Sequence, residues 1–455
     1  MKSFTLGDAA RAVDGSFDGD ENALITSVCT DTRKIKAGCL FIPLKGERFD
    51  AHDFIEQAFQ KGATACFSHK KNTGKNIIHV KDTKKALGDL ARFYRGLFDI
   101  KVCAITGSVG KTTTKDMIFS VLSQKYHTIK TQGNFNNDIG LPLTVFDIEE
   151  DTQAAVIEMG MNNFGEIEYL TNIARPDVAV ITNVGVSHIE NLGSREGILK
   201  AKCEIFDGLS KNGTAVINGD NDMLSSLKGK LVHKTVWFGI NDKDGIYAKN
   251  ISANGMSGVK CTICINGKSF DADINMPGEH MVLNALAAAA VGDVFGLGID
   301  EIKKGIENFV PTGMRMEIKK CKNGITVIND AYNANPVSTK AALDVLCKAG
   351  GEKTAVLGDM FELGSYGPKL HFEVGEYAAK KGINDIICIG AISKNMYEGA
   401  VSAGGNAYYF KNLDAFFEKG IRLLEKPDTT ILIKASHSMC FEKIAEKITE
   451  GEENK

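Results

Sequence analysis

One short segment of the sequence has the residue types that hold phosphate groups in proteins. It follows the apolar stretch 102–105 and reads Gly107, Ser108, Val109, Gly110, Lys111, Thr112 and Thr113. Backbone N–H groups of such a loop bind phosphate oxygens, while its lysine reaches the β- and γ-phosphates and its hydroxyl binds Mg²⁺. Ile105 stands where the common pattern G-x-x-x-x-G-K-[ST] has its first glycine. A chance Gly-Lys-Thr turn is the alternative, but a strand before the segment and a helix after it favour a phosphate-binding loop.

A second candidate is a lysine on the apolar side of a helix predicted over residues 195–209. At about 3.6 residues per turn, Lys202 falls within the apolar stripe of this helix, whereas Lys200 and Glu204 project away from it. A buried, unpaired ammonium tends to lose its proton. The neutral amine can add CO₂ to form a carbamate, whose oxygens suit Mg²⁺. The alternative is a lysine whose stem lies on the core while its ammonium reaches water.

An acid and a histidine follow two of the predicted strands. Glu158 ends the stretch 154–157, and His188 comes shortly after the stretch 178–184. Because ligands of open α/β sheets bind beyond the carboxyl ends of the strands, both residues are predicted to lie at the edge that carries the phosphate loop. Mg²⁺ prefers carboxylate, hydroxyl and phosphate oxygens. An imidazole is a less usual ligand, and a purely structural histidine is the alternative for His188.

The pattern of apolar stretches predicts the elements that position these residues. Short β-branched strands alternate with helices between residues 101 and 312, which is typical of a parallel, doubly wound sheet. Within this region, residues 245–275 contain two Asn-Gly turns, which predict antiparallel hairpins. A second alternating series after residue 312 predicts another nucleotide-binding-like domain. The residues before 85 form short elements, including a strand at 39–44 and a helix at 54–62.

These patterns predict an α/β protein of three domains, at residues 1–85, 86–312 and 313–455. The central domain is predicted to be a P-loop ATPase domain with a parallel sheet, and the C-terminal domain to be Rossmann-like. The length of 455 residues also indicates about three domains, at roughly 150 residues per domain.

Composition limits the partners that the chain can have. A net charge of -3, from 54 basic and 57 acidic residues, argues against nucleic acid and against an anionic membrane surface as partners. The first residues lack the apolar segment of a signal peptide, and no apolar stretch is long enough for membrane insertion, so we expect a cytoplasmic protein. The 11 cysteines have no framework spacing, which is typical of reduced thiols.

Over nearly its whole length the sequence resembles the Mur ligase family of ATP-dependent, amide-forming enzymes. The resemblance rests on several segments taken together, at 106–115, 133–142, 158–162, 183–188, 200–206, 329–336 and 357–364. It implies that ATP converts the terminal carboxylate of UDP-N-acetylmuramoyl-tripeptide into an acyl phosphate. The amino group of D-alanyl-D-alanine would then attack the acyl carbon, in cytoplasmic peptidoglycan precursor synthesis. The resemblance also implies a monomer.

The resemblance further implies roles for individual residues. The catalytic residues would be Lys111, Glu158, His188 and Lys202. The ATP site would comprise residues 107–113 with Asn284, Arg315 and Asp330. One Mg²⁺ would be held by Thr112 and Glu158, and a second by His188 and the carbamate that Lys202 forms with CO₂.

The two other substrates are assigned in the same way. The UDP substrate would contact Asp31, Thr32, Arg33, Lys45, Gly46, Asn134 and Asn137. The acceptor amine would contact Asn333, Asn335 and Asp359. Two positions depart from the family pattern: many relatives have Asn where Met281 stands, and His437 ends a segment that usually reads Lys-Gly-Ser-Arg.

Two other functions stay open at this point. A related ligase would add a single amino acid to a UDP-muramoyl peptide or to folate; the segment 31–33 favours a UDP substrate and the segment 359–364 favours the dipeptide. A nucleotide-dependent switch would use the phosphate loop without forming an amide. The acids and lysines grouped at the strand ends favour an enzyme over such a switch.

Overall fold

The computed structural model describes residues 1–47, 49–70, 74, 76–311, 313–321 and 324–450. Thr312, at which the central domain is predicted to end, and residues 451–455 lie outside this part of the chain. Of the helices within it, none combines the length and the apolar composition needed to cross a bilayer.

The N-terminal elements form two small sheets. Their bounds are β1 (Phe4–Thr5), α1 (Leu6–Ala12), β2 (Leu24–Ile25), β3 (Ser27–Cys29), β4 (Cys39–Phe41), α2 (Ile55–Gln60), β5 (Ala63–Ser68), β6 (Ile77–His79) and α3 (Thr83–Arg95). Strands β1 and β2 pair antiparallel, while β3 to β6 form a parallel sheet in chain order. Strand β4 is shorter than predicted and stops before Pro43, which has no N–H for a ladder hydrogen bond.

Helix α3 crosses the predicted domain limit at residue 85. The phenol of Tyr94 on this helix accepts from the backbone of Lys2 and donates to the carbonyl of Ile148, at 2.7 Å each. A Cβ added at Gly88 would lie 1.8 Å from the hydroxyl of Tyr169, so the helix packs closely against the central elements. Helix α3 therefore joins the N-terminal and central parts, and the limits of the three domains stay predictions.

The central part holds a nine-stranded sheet with helices on both faces. Its elements are β7 (Lys101–Thr106), α4 (Lys111–Leu122), β8 (Thr128–Lys130), α5 (Gly140–Phe146), β9 (Ala154–Glu158), α6 (Glu166–Ala174), β10 (Val178–Ile181), α7 (Ile189–Leu192), α8 (Arg195–Cys203), β11 (Thr214–Asn218), α9 (Asp222–Ser225), β12 (Lys234–Gly239), β13 (Ile246–Ala253), β14 (Val259–Ile265), β15 (Lys268–Ile274), α10 (His280–Val294) and α11 (Ile299–Glu307). The strand order is β15-β14-β13-β12-β11-β10-β7-β9-β8.

The central strands are buried on both faces, which explains their continuous apolar sequences. In β7, Cys103 and Ile105 join one hydrophobic core while Val102 and Ala104 join the other, because side chains of a strand alternate between faces. The predicted antiparallel hairpins at 245–275 are confirmed as β13, β14 and β15. They extend the central sheet, since β13 pairs with β12.

The C-terminal part is a six-stranded sheet with helices. Its elements are β16 (Glu317–Lys320), β17 (Thr326–Asn329), α12 (Pro336–Cys347), β18 (Glu352–Gly358), α13 (Gly367–Lys380), β19 (Asp385–Ile389), α14 (Ser393–Ser402), β20 (Ala407–Phe410), α15 (Leu413–Lys419), β21 (Thr429–Lys434) and α16 (Glu442–Glu450). The order is β16-β17-β21-β18-β19-β20, and every pairing except that of β16 is parallel. The predicted α/β class is confirmed.

The helix predicted over 195–209 is shorter in the structure. Helix α8 ends at Cys203, and one turn of 3-10 helix covers Glu204–Phe206. The carbonyl of Ile205 accepts from the hydroxyl of Thr171 at 3.0 Å, and the N–H of Leu209 bonds to Phe206. The N–H of Leu209 thus bonds three residues back rather than four, so the chain beyond Cys203 no longer follows the α-helical ladder.

Candidate active site

A cavity of about 1040 Å³ lies where the carboxyl ends of the central strands face the C-terminal part. Strands β7, β9 and β10 are parallel neighbours, so the loops that follow them meet at one edge of the sheet. The structure brings most of the predicted residues to this cavity, namely Ser108, Val109, Gly110, Lys111, Thr112, Thr113, Asn134, Asn137, Glu158, His188, Asn284, Arg315, Asp330, Asn333 and Asn335. The other predicted residues do not line it.

The predicted phosphate loop connects β7 to the N-terminus of α4. Gly110 has a φ of 79°, a left-handed conformation that favours glycine. A Cβ at Gly107 would lie 1.9 Å from the hydroxyl of Thr182, so the backbone passes too close to β10 for any side chain. The Lys111 ammonium donates to the carbonyl of Gly107 at 2.9 Å. Burial lowers the pKa of Lys111, and the charge of Glu158 partly opposes this effect.

Asn183 fixes the loop from the neighbouring strand. Its side-chain oxygen accepts from the backbone N–H groups of Ser108 and Val109, at 3.1 and 2.9 Å, and its amide donates to the carbonyl of Val109. Asn183 lies in the family segment 183–188 but was not among the predicted site residues. Its position directly after a buried strand is the feature of the sequence that could have assigned Asn183 to the site.

Glu158 is the centre of a buried polar network. One carboxylate oxygen accepts from the Thr112 hydroxyl at 2.7 Å, and the other accepts from the Asn136 amide at 2.8 Å. Arg315 donates to the same Thr112 oxygen at 2.8 Å, although it lies on the C-terminal side of the cavity. Carboxylate and hydroxyl oxygens side by side are the hard ligands that Mg²⁺ prefers. Glu158 and Thr112 therefore fit a magnesium site, and Asn136 is a site residue that the sequence analysis missed.

Lys202 lies inside the protein behind the cavity. The residue is 1% exposed, so the alternative in which its ammonium reaches water is wrong. Burial lowers the pKa of Lys202 well below its usual value, and the nearby positive charge of Lys111 lowers it further. No acidic side chain pairs with Lys202 within the part of the chain that the structure describes. These surroundings favour the neutral amine, the form that adds CO₂.

His188 faces the cavity from the central part and contacts the C-terminal part. Its backbone has a φ of 62°, a left-handed conformation that is uncommon for residues other than glycine. The Nδ1 atom lies 2.8 Å from a carboxylate oxygen of Glu362. This contact is the main cause of the lowered pKa of Glu362. Glu362 also lines the cavity, and the sequence analysis did not assign it a role.

The C-terminal side of the cavity carries a group of polar residues from β17, β21 and the loops near them. The guanidinium carbon of Arg315 lies 3.9 Å from the ring centre of Tyr332, a cation–π contact. Asp330 forms an ion pair with the buried Lys434, whose Nζ is 2.5 Å from the carboxylate. The carboxylate of Asp330 also accepts from the backbone of Met316 at 3.2 Å. Asp330 thus lies at the cavity with its charge already balanced.

Asn284, the predicted adenine contact, stands on helix α10 beside the phosphate loop. Its side-chain oxygen accepts from the Thr114 hydroxyl at 2.9 Å, and its amide nitrogen lies 3.4 Å from the sulfur of Met281. Met281 is buried. The structure therefore brings Asn284 to the cavity beside the phosphate loop, with the thioether of Met281 next to its amide.

The residues predicted to bind the UDP substrate lie in two places. Asn134 and Asn137 line the cavity, and the side-chain oxygen of Asn137 accepts from the N–H of Gly140 at the start of α5. The segments 31–33 and 45–46 lie in the N-terminal part and do not line it. In the first of these segments, hydrogen bonds from Arg33 lower the pKa of Asp31 to about 2. The structure does not bring the two groups together in one cavity.

Asp359, predicted to contact the acceptor amine, is not a cavity residue. It is 4% exposed, and one carboxylate oxygen accepts from the N–H and the hydroxyl of Ser393 at 2.7 and 2.6 Å. The carboxylate thus faces the start of helix α14 rather than the cavity. A polar residue directly after a strand looks the same in sequence whether it binds a ligand or a neighbouring loop.

Comparisons with known proteins identify the family to which this chain is similar. Three family models match: "Mur ligase family, catalytic domain" at residues 24–95, "Mur ligase middle domain" at 105–292, and "Mur ligase, glutamate ligase domain" at 314–437. The chain is 40% identical to the UDP-N-acetylmuramoyl-tripeptide–D-alanyl-D-alanine ligase of Bacillus subtilis, over 95% of this chain and 94% of that protein. It is 38% identical to the Escherichia coli ligase of the same name, over 99% of both chains.

Solved structures show the same similarity. A crystal structure of MurF from Acinetobacter baumannii superposes with a TM-score of 0.93 at 31% identity, covering 99% of both chains. A crystal structure of MurF ligase from Thermotoga maritima in complex with ADP superposes with a TM-score of 0.83 at 28% identity, covering 93% of this chain and 96% of that one. With relatives this similar over the full chain, the protein belongs to the Mur ligase family.

Proposed function

We propose that this protein joins D-alanyl-D-alanine to UDP-N-acetylmuramoyl-tripeptide in peptidoglycan precursor synthesis, with conversion of ATP to ADP and phosphate. One observation carries the proposal: a single cavity combines Lys111 and the Glu158–Thr112 pair of the central part with Arg315 and Asn333 of the C-terminal part. Such a cavity can bring a nucleotide and two further substrates together. The full-length similarity to ligases of this activity supports the same conclusion.

ATP would occupy the phosphate loop, with Lys111 at the β- and γ-phosphates and Asn284 near the adenine. Thr112 and Glu158 would hold one Mg²⁺, and His188 with the carbamate of Lys202 would hold a second. Bound Mg²⁺ supplies positive charge that stabilises the transferring phosphoryl group. Arg315 reaches Thr112 from across the cavity and would contact a phosphate, while Asp330 would face the ribose.

The reaction would proceed in two steps. The terminal carboxylate of the tripeptide attacks the γ-phosphorus of ATP and forms an acyl phosphate. The bond between the γ-phosphorus and the bridging oxygen breaks, and ADP leaves with that oxygen. The amino group of the dipeptide then attacks the acyl carbon, loses a proton, and phosphate leaves with the bonding electrons. Lys111 offsets the negative charge that repels the carboxylate in the first step. Exclusion of water protects the acyl phosphate from hydrolysis.

The remaining substrates would lie on either side of the phosphate loop. Asn134 and Asn137 would face the peptide part of the UDP substrate, and the segments 31–33 and 45–46 would hold its nucleotide end in the N-terminal part. Asn333 and Asn335 would contact the acceptor dipeptide, with Asp359 shaping the loop beside them. One chain contributes all of these groups, so we propose that a monomer is active.

Product analysis tests this function directly. The protein is incubated with ATP, Mg²⁺, D-alanyl-D-alanine and a UDP-tripeptide that ends in lysine or in diaminopimelate, and the products are identified by mass spectrometry. We expect a UDP-pentapeptide and one ADP per amide bond. The proposal would be contradicted if ADP were released equally fast in the absence of the UDP-tripeptide and the dipeptide. It would also be contradicted if a ligation product formed only with single amino acids.

Arg315→Ala is expected to raise the KM for ATP by about 10- to 100-fold, because a hydrogen bond to a charged group is worth about 1.5–3 kcal/mol. The same substitution leaves the Thr112 hydroxyl and the Tyr332 ring without their cationic partner. Steady-state kinetics with ATP as the varied substrate measure the effect. Arg11→Ala, on the surface of the N-terminal part, is the matched control; an unchanged KM in the Arg315 variant would remove Arg315 from the ATP site.

A further inference from the structure

Five carboxylates line the cavity, and they differ in how firmly the protein already holds them. Glu158 accepts from Thr112 and Asn136. Glu166 accepts from the N–H of Asn162 and the amide of Asn163. Asp220 accepts from the backbone N–H groups of residues 240–242, and Asp330 pairs with Lys434. Among the lining carboxylates that the structure describes, only Glu158 and Glu362 are held by neither a backbone N–H nor a lysine or arginine. Glu158 is buried at 2% exposure with both oxygens bonded, whereas Glu362 is exposed and contacts His188.

Glu362 is presented to the cavity by a loop that is fixed from behind. The N–H of Met360 donates to the buried ring of His371 at 2.9 Å, and the N–H of Phe361 donates to the hydroxyl of Ser436 at 3.0 Å. The carboxylate of Asp359 is bound to Ser393. Glu362 itself has a φ of 64°, a left-handed conformation that is uncommon for a residue with a Cβ. The surrounding bonds keep the backbone in this conformation, so the carboxylate is held in place before any ligand arrives.

The side chain of Glu362 also lies across the cavity from the phosphate loop. Its carboxylate lies 2.8 Å from His188, at the carboxyl end of the central sheet, and its side chain is 57% exposed to the open cavity. It belongs to the C-terminal part, whereas the phosphate loop belongs to the central part. A group bound to Glu362 therefore approaches the phosphate loop from across the cavity, as a nucleophile must approach an acyl phosphate formed beside Lys111.

We propose that Glu362 binds the ammonium of the acceptor dipeptide and positions it beside the acyl phosphate; the ammonium then gives one proton to solvent, and the neutral amine attacks the acyl carbon. The inference rests on the proposed function, which supplies the dipeptide as substrate. An ammonium that leaves water for a cavity needs a carboxylate partner. Glu362 is the exposed lining carboxylate, and only one of its two oxygens faces His188, so the other can accept the ammonium.

Glu362→Gln tests the role of the charge with little change in shape. We expect the KM for D-alanyl-D-alanine to rise by about 10- to 100-fold, because the ion pair becomes a neutral hydrogen bond. The KM values for ATP and for the UDP-tripeptide should change less than twofold. Glu362→Asp, which retains the charge, should recover part of the loss. Glu190→Gln is the matched control, because Glu190 lies against Gly364 of the same loop but outside the cavity.

A half-reaction separates this role from the first step of catalysis. Hydroxylamine, a small neutral nucleophile, replaces the dipeptide and traps the acyl phosphate as a hydroxamate. We expect Glu362→Gln to form the hydroxamate at the rate of the parent protein, which also shows that the variant is folded. If the parent protein forms no hydroxamate, the proposed function itself fails, and this outcome is distinct from a failure of the Glu362 proposal.

Two results would overturn the proposal for Glu362. An unchanged KM for the dipeptide in Glu362→Gln would show that another group binds the ammonium. Loss of hydroxamate formation in both the Gln and the Asp variants would show that Glu362 acts in phosphoryl transfer through His188 rather than on the acceptor. A dipeptide analogue with a hydroxyl in place of the amino group tests whether the effect depends on charge. Because this analogue has no ammonium, its weak inhibition constant should be the same for the parent protein and for Glu362→Gln.

Discussion

Lys202→Ala is expected to lower kcat for ligation by about 100- to 1000-fold, the range seen when one group that stabilises a transition state is removed. The physical reason is the environment of the lysine. The side chain is 1% exposed with no acidic partner among the described residues, and this burial lowers its pKa well below the usual value, which favours the neutral amine. Its carbamate would supply a metal-binding anion. Short carboxylates such as acetate or propionate are expected to restore part of the activity, because they fit the space that the side chain leaves.

Two measurements check the Lys202 prediction. Steady-state ligation is measured for Lys202→Ala with and without added carboxylate, and ¹³C NMR with labelled CO₂ detects the carbamate in the parent protein. Lys200→Ala is the matched control, because Lys200 lies on the exposed face of the same helix. Full activity of the Lys202 variant, or the same loss in the Lys200 variant, would be incompatible with a carbamate at this position.

The pH dependence of stability gives a second test of Lys202 that does not depend on activity. Burial lowers the pKa of Lys202 in the folded protein well below 10.5, the ordinary pKa at which the amine of the unfolded chain loses its proton. Because the unfolded state binds more protons, the free energy of unfolding rises with pH between the lowered folded-state pKa and 10.5. In CO₂-free buffer, Lys202→Met should therefore be more stable than the parent protein at neutral pH, with a difference that shrinks as the pH approaches 10.5.

The fold was largely predictable from local sequence, because buried parallel strands carry continuous apolar stretches. Strands β7, β9 and β10 are recognisable in this way, and their parallel order brings the loop, Glu158 and His188 to one edge. The end of helix α8 at Cys203 was not predictable, because the apolar stripe continues through Ile205, Phe206 and Leu209 beyond the point where the α-helix gives way to a 3-10 turn.

The site was predictable only where a residue type and its position after a strand determine its chemistry. Lys111 and Glu158 meet that condition. Asn136 and Glu362 do not, because their roles depend on partners from other elements, namely Glu158 and His188. Asp359 shows the converse case, since it follows a strand but its carboxylate is bound to Ser393. Sequence position identifies which polar residues are near an edge, whereas hydrogen bonds decide which of them face the ligand.

Lys111→Met is expected to reduce kcat/KM for ATP by at least about 1000-fold while leaving the protein folded. Methionine has a similar length and no charge, so it fills the same buried space. The folded protein loses only the hydrogen bond from Nζ to the carbonyl of Gly107. Burial already lowers the pKa of Lys111, and a triphosphate would favour the charged form. The variant removes that charge where the carboxylate approaches the γ-phosphorus.

The Lys111 prediction separates binding of the nucleotide from phosphoryl transfer. Backbone N–H groups of the loop and the start of helix α4 remain in Lys111→Met, so we expect the affinity for ADP to fall far less than the rate of hydroxamate formation. Calorimetry with ADP and the hydroxylamine assay measure the two quantities, and Lys125→Met, an exposed site just after helix α4, is the control. If both quantities fell by the same factor, Lys111 would serve to anchor the nucleotide, and the charge needed for transfer would have to come from Arg315 and the metal ions.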